Sequence, residues 1–292
     1  MKSLSIGDRI FNIINYSVLT IVGIIMLFPF WYVLVQSVIP YAEKIKSSVI
    51  LFPTSFDFSA YKYVLSDSRF LNAAFISIFV TVVGTVYQLF ITAGLAYGLT
   101  KKDLPFNKTI TILVLFTMFF NGGLIPTYLV IKKVGLINNI WVMIIPAFAN
   151  TYNLIIIKNF FEQVPKDMEE SAIIDGAGVM TVFFRIILPL SKAALATIGL
   201  FIAVGQWNNY YSALIYLQER AKWPLAMLLQ DMLVQNNMTE VMNAGIDKSG
   251  AFTTQENVKM AVIIVSVIPI ISVYPFIQKY FTAGVMVGAI KE

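Results

Sequence analysis

The sequence contains no cysteine and no histidine. The first absence excludes disulfides and thiolate chemistry; the second removes histidine-ligated metals and histidine general bases. Charge is scarce as well. Asp, Glu, Lys and Arg make up 13% of the chain, about half the share of a soluble domain. No Gly-Lys dipeptide occurs, so the usual phosphate-cradling loop is missing and any nucleotide must be bound by another chain. His-Glu-x-x-His and Gly-x-Ser-x-Gly are absent, and no Asp falls inside a hydrophobic run. These absences argue against an intramembrane metal, serine or aspartyl hydrolase.

What the chain has instead is apolar surface. Hydrophobic residues form 58% of it, and the mean hydropathy is +0.77. One soluble core cannot bury that much, so lipid must be the solvent for a large part of it. The 292 residues suffice for roughly six spans of ~20 residues with their connections. Net charge is +5, but the basic residues are scattered, which is not the footprint of a nucleic-acid binder.

The apolar runs predict spans over 11–39, 71–99, 109–131, 138–160, 191–217 and 257–281, the last broken by Pro269 and Pro275. Pro29, Pro146, Pro269 and Pro275 are expected to kink their spans, either as hinges or as fixed shape. The first run is too long for a signal-peptide core and reads as an uncleaved span. The runs are continuous rather than alternating, so they are helices and not barrel strands. The expected fold is all-α: one polytopic bundle of six transmembrane helices over residues 1–292, with a core at about 70–282. A long polar loop at 218–256 and a short tail at 284–292 complete it. Six spans place both termini on one side. Lys and Arg divide almost evenly between the two sides, so the charge rule favours a cytoplasmic N-terminus only slightly.

One stretch interrupts the hydrophobic pattern, the polar elbow 162–190. Pro165 suits the first turn of a helix, where its missing N–H costs nothing. Asp167 and Glu169 then lie near the positive end of the helix dipole and are expected to be solvated. Met168, Ala172 and Ile173 supply an apolar stripe. Gly176 is placed to end the helix in a left-handed cap. A second helix is expected from about Val179, with Pro189 leading into the fifth span. By itself such an elbow is an ordinary surface connector.

Glu170-Ser171-Ala172, Asp175-Gly176-Ala177 and Leu188-Pro189 resemble the EAA loop of ATP-binding-cassette importer permeases, with Ser171 in place of the first alanine. Tyr61-Lys62-Tyr63, GGLIPTYLV (122–130), LINNIW (136–141), FFEQVPKDMEESA (160–172) and VGAIKE (287–292) look like the carbohydrate-uptake branch. Within that branch the chain is similar to the maltose-type second permease and to oligosaccharide or aldouronate permeases.

The resemblance implies a type I importer permease in a bacterial plasma membrane, with both termini cytoplasmic. It implies a cytoplasmic coupling helix carrying Glu170, Ser171, Ala172, Asp175, Gly176, Ala177, Leu188 and Pro189. Glu170 would pair with a basic residue of an ATPase cleft, and Gly176 would permit the close turn. The tail 284–292 would reach the ATPase dimer, and the loop 218–256 would meet an extracytoplasmic solute-binding protein. The implied partners are a second homologous permease, two ATPase subunits that bind ATP and Mg, the binding protein, a carbohydrate and lipid. No cofactor is expected in this chain, no metal, and no catalytic residue.

Amides and aromatics in the spans form a second, weaker set. Asn153, Trp207, Asn208 and Tyr211 are candidates for a substrate path, by hydrogen bonding and by stacking on sugar C–H faces. Gln88, Asn121, Asn150, Gln206, Asn209 and Tyr210 share that chemistry. The competing reading is that the amides bridge helices and the aromatics form an interfacial belt. Import of a non-sugar solute, or ion-coupled secondary transport, are the alternative functions. The latter typically carries midplane ionisable residues or broken-helix sites in an inverted repeat; the span interiors hold no evident ionisable residue, and no internal repeat is visible.

Overall fold

The structure, a computed structural model, describes residues 6–44, 50–234 and 255–289. Much of the expected outer loop (235–254) and the end of the expected tail (290–292) lie outside the described residues. All regular structure among the described residues is helical. The chain divides into two units, Met1–Ser68 with Asp231–Ile268, and Arg69–Gln230 with Pro269–Glu292.

In the first unit, α1 (Ile6–Val38) is a continuous helix despite Pro29. Its apolar side chains are largely exposed, as expected of a lipid-facing span. Short helices α2 (Tyr41–Lys44) and α3 (Ser59–Ser66) follow. Val35, Ile39 and Ile50 form a small core. Beside it, the Ser37 and Tyr61 hydroxyls share a 2.6 Å hydrogen bond. Asn257 Nδ2 donates to the Ile39 carbonyl (2.6 Å), which lies just past the end of α1.

The second unit is organised by α4 (Ser68–Thr100), an unbroken helix of 33 residues. After it come α5 (Asn107–Phe119), α6 (Leu124–Lys133), two short 3₁₀ turns (Ile140–Met143 and Ile145–Ala147), α7 (Thr151–Phe161) and α8 (Lys166–Ile174). Then follow α9 (Val179–Leu190), α10 (Lys192–Trp207), α11 (Tyr210–Tyr216) and α12 (Leu225–Val234). The last helix, α13 (Gln255–Ala289), includes both Pro269 and Pro275 without a break.

Among the described residues three helices can each cross a membrane by length and composition, or up to six if each of three bent pairs is one span. The third expected span is one of these pairs: α5 and α6 meet at 115°. The break follows from Asn121-Gly122-Gly123. Gly123 has φ +85°, and Asn121 Oδ1 accepts its N–H at 2.9 Å, a local turn that competes with the helix. The fourth is bent by 48°, with Pro146 near the start of the second 3₁₀ turn. Pro146 thus marks a break, whereas Pro29, Pro269 and Pro275 sit inside continuous helices. Spanning helices tolerate proline because neighbouring groups satisfy the freed carbonyls. Part of the stretch expected as a polar loop, 218–256, is the apolar helix α12. The Leu225 N–H at its start donates to Ser77 Oγ of α4 (2.7 Å), and Leu225 and Met227 are buried.

Two apolar clusters lie along α4. One joins Ile76 and Val80 to Ile131, Met143, Ala213, Tyr216 and Met227. The other joins Ala93, Ala96 and Tyr97 to Leu154, Ile157, Phe161, Val182, Phe183 and Ile198. Ser77 and Tyr97 are about 30 Å apart along the axis at about 1.5 Å per residue, the thickness of a bilayer's hydrocarbon core.

Next to the first cluster, Asn138 clamps two connections together. Its backbone is left-handed (φ 57°), which asparagine tolerates. Its N–H donates to the Tyr216 carbonyl (2.8 Å), and its Oδ1 accepts from the Gln218 and Glu219 N–H groups (3.2 Å each). Its Nδ2 donates to Glu219 Oε1 (2.6 Å), and its carbonyl accepts from Lys222 Nζ (2.8 Å). Hydrogen bonds from Lys222 and then Asn138, with the Lys222 charge, hold the Glu219 carboxyl below its ordinary pKa. The depressed folded value means that Glu219 supports the clamp fully above the ordinary glutamate range. That support is lost as pH falls through the folded value. We expect Asn138→Ala to speed hydrogen exchange at the Gln218 and Glu219 amides about tenfold, the loss of one good hydrogen bond. Acidification should do the same in part, after correction for intrinsic rates. Unchanged protection in the variant would remove the clamp.

Candidate functional site: the elbow between α7 and α10

Pro165 precedes α8 directly, with φ −57°, and its carbonyl accepts the Met168 N–H (3.2 Å). The other end of α8 is closed by two bonds. The Gly176 N–H reaches the Ile173 carbonyl (3.0 Å), and the Ala177 N–H reaches the Ala172 carbonyl (2.9 Å). With Gly176 at φ +83°, this is a Schellman cap, the left-handed ending expected from the sequence.

After Gly178, α9 starts as an α-helix, then widens into a π turn over Phe183–Ile187. The Leu188 N–H bonds back to the Phe183 carbonyl. Pro189 gives the reason: its ring would press on the Arg185 carbonyl in a regular helix, and a wider turn relieves that clash. At Ser191 the chain bends by 83° into α10.

Glu170, Ser171, Asp175, Gly176 and Pro189 are exposed, while Ala172, Ala177 and Leu188 are half-buried against the second cluster. Glu170 has no hydrogen-bond or ion-pair partner among the described residues. Around the bend stand exposed apolar side chains: Met168, Ile173, Val179, Met180 (70% exposed) and Ile174 (85%). The bend therefore offers unpaired carboxylates, Glu170 and Asp175, beside an apolar knuckle.

Glu169 differs from the sequence expectation. It is not a solvated helix-start charge. Its carboxylate forms an ion pair with Lys101, and its Oε1 accepts from the Tyr97 hydroxyl (3.1 Å). Lys101 Nζ also sits 4.3 Å from the centre of the Tyr97 ring. Asn107 Nδ2 fixes the backbone there, donating to the Leu99 (3.1 Å) and Lys101 (2.8 Å) carbonyls. Burial pushes the Lys101 ammonium below the ordinary lysine range. The Glu169 carboxylate supplies the opposite charge that a half-buried cation needs. The Tyr97 ring stacks on Phe183 (5.1 Å) and meets Phe161 edge-on (6.5 Å). Asp167, by contrast, is exposed as expected.

The second candidate set is not brought together. Asn153 is half-buried, and its N–H is capped by Asn150 Oδ1 (3.1 Å). Trp207 is buried, whereas Asn208 and Tyr211 are exposed. Asn208 Nδ2 donates to the Val204 carbonyl (2.9 Å) at the end of α10, and Asn209 Oδ1 caps α11 through Ser212 (3.1 Å). Among the described residues no hydrogen bond joins Asn153 to Trp207, Asn208 or Tyr211. Most of these amides end helices or close turns, as the short polar side chain of asparagine favours. Gln88 and Gln206 are buried, and the Gln206 side chain lies against Gly84, where a Cβ would come within 3.2 Å of it. Among the described residues no group of three metal-ligating side chains could hold an ion.

Comparison with known proteins agrees with this geometry. Residues 105–287 match the family of binding-protein-dependent transport system inner membrane components. The chain is 44% identical to Protein LplC of Bacillus subtilis (strain 168), over 98% of this chain and 96% of that one. It is 42% identical to the polygalacturonan/rhamnogalacturonan transport system permease protein YtcP of the same organism, over 97% and 99%. A chain in the crystal structure of a bacterial ABC transporter involved in the import of the acidic polysaccharide alginate superposes with a TM-score of 0.89. That chain is 36% identical, with 96% of this chain and 100% of that one covered. The bent span pairs, the polar elbow and the family match all converge: this chain belongs to the binding-protein-dependent transport system inner membrane components, as a multi-pass permease of the type I ABC importer fold.

Proposed function

We propose that the chain is one permease of a heterodimer that imports an oligosaccharide across a bacterial plasma membrane, driven by ATP hydrolysis in separate subunits. The observation that carries the coupling half of this reading is the exposed bend of α8. An unpaired Glu170 beside Ile174, Val179 and Met180 suits neither lipid nor water. It suits a protein cleft with a basic residue and an apolar floor. The oligosaccharide half rests on likeness to relatives named for polygalacturonan/rhamnogalacturonan and for alginate. In this reading the elbow and both termini face the cytoplasm, and the Asn138 clamp faces outward.

The mechanism follows from the parts. A solute-binding protein presents the sugar at the outer face. Two ATPase subunits, which hold ATP and Mg, close on nucleotide and displace α8. The helices switch access from inside to outside, the sugar enters, and hydrolysis resets the bundle. ATP drives this because it binds the closed arrangement more tightly than the open one. The test is uptake in proteoliposomes carrying both permeases, the ATPases and the binding protein. Uptake that persists without ATP would sink the proposal.

Glu170→Ala isolates the docking contact. The residue is exposed, so the chain's own stability should change by no more than about 0.5 kcal/mol. A hydrogen bond to a charged group contributes about 1.5–3 kcal/mol. Retention of the ATPase on the purified permeases should therefore fall at least about tenfold. Unchanged co-purification and uptake would count against docking through Glu170.

A further inference from the structure

We propose that Glu169, Lys101 and Tyr97 form a latch that binds the coupling helix α8 to the end of α4, with Glu169 and Lys101 as positioning residues. The inference rests on the coupling reading above and adds a route by which the motion travels.

α8 has no buried residue of its own. Two short connections join it to α7 and α9, and the second turns on the left-handed Gly176. Its inward face offers only Glu169 and Ala172, three residues apart and both half-buried. Ala172 gives one methyl group to the second cluster. The ion pair to Lys101 and the Tyr97 hydroxyl are thus the specific ties between α8 and the body of the unit.

Successive residues on a helix point about 100° apart, so Glu169 and Glu170 cannot serve the same surface. Glu170 faces out, where a partner docks. Glu169 faces in, where α4 ends. The other end of the latch is stiff. Tyr97 is buried and wedged between Phe161 and Phe183. Asn107 pins the backbone on either side of Thr100. α4 then runs without a break to the first cluster, about 30 Å away at about 1.5 Å per residue. A push on α8 reaches that cluster through one rod, rather than only through the bends at Gly176 and Ser191.

The test uses the assembled transporter in lipid nanodiscs. The chain has no cysteine, so spin labels can be placed at Lys102→Cys and Asp167→Cys, both exposed positions. Wild-type sequence elsewhere should give one narrow distance, the same with and without nucleotide. Lys101→Met and Glu169→Gln should each broaden it, and solute transported per ATP should fall about fivefold or more, the scale of a typical coupling energy. Lys101→Arg should behave as wild type, and the charge-swapped pair Lys101→Glu with Glu169→Lys should recover much of both readouts. Narrow distances and intact coupling in the single variants would overturn the latch, as would a swapped pair no better than either single change. ATPase co-purification is scored separately. If it is absent with the unaltered chain, the coupling reading fails while the distance result still decides the latch.

Discussion

Gly176→Val is expected to reduce ATP-driven uptake at least about thirtyfold while the membrane-spanning helices still form. The cause is backbone conformation. At φ +83° an L-residue brings its Cβ against the following carbonyl, which costs about 1–2 kcal/mol and more for a β-branched side chain. About 2 kcal/mol corresponds to a factor of about thirty. Crowding within the chain is not the cause, because a Cβ at Gly176 would meet nothing within 4 Å. If the substituted backbone moves toward a right-handed φ, the Gly176–Ile173 and Ala177–Ala172 hydrogen bonds are lost together and the knuckle turns away from its partner.

Gly176→Asn separates two explanations, since asparagine tolerates the left-handed region. If Asn restores uptake, the turn alone required glycine. If Asn fails as Val does, the docked partner comes too close for any side chain. Normal uptake by the Val variant would show that the cap does not shape the docking surface.

The second large effect is expected from Tyr97→Ala. It removes the ring stacked on Phe183, the edge contact to Phe161, the surface under Lys101 and the hydroxyl on Glu169. Aromatic-to-alanine changes in a core cost about 3–5 kcal/mol. The loss falls where α4, α7, α8 and α9 meet, so the elbow should open locally before the spans do. Trypsin reads this directly, because Lys166 is exposed at the start of α8. Cleavage after Lys166 should be at least about a hundredfold faster in the Ala variant. Tyr97→Phe keeps the ring and loses one hydrogen bond of about 1 kcal/mol, so it should speed cleavage about fivefold. Equal rates in the Ala variant and the unaltered chain would mean that Tyr97 does not hold the elbow.

Much of the elbow is legible in the sequence. Glycine after an acidic amphipathic segment marks a left-handed cap, and Pro189 marks a disturbed helix, because both act through local backbone chemistry. The π turn that absorbs Pro189 has no such local mark. The break at Asn121-Gly122-Gly123 is hidden because the apolar run on either side is long enough to pass for one span. The reverse holds for Pro269 and Pro275: each marks a break in the sequence, yet α13 runs through both.

Glu169 departs from expectation for a different reason. Its neighbours in sequence give it the look of a helix-start carboxylate, and its partners lie 68 and 72 residues away. A usable signal exists. Lys101 follows the second span, which places it on the same side of the membrane as the elbow. Several other lysines share that side, so the topology alone does not single out the pair.

Composition and pattern alone determined that this chain is helical and lipid-embedded, and that it carries a capped elbow. Those properties depend on hydrophobic run length and on local φ preferences, which a sequence displays directly. Only the tertiary structure decided which carboxylate of the Glu169–Glu170 pair turns inward, which prolines interrupt their helices, and which amides are spent on caps. Those outcomes depend on what packs against each residue across long stretches of chain, where contact and burial, rather than residue type, select the arrangement.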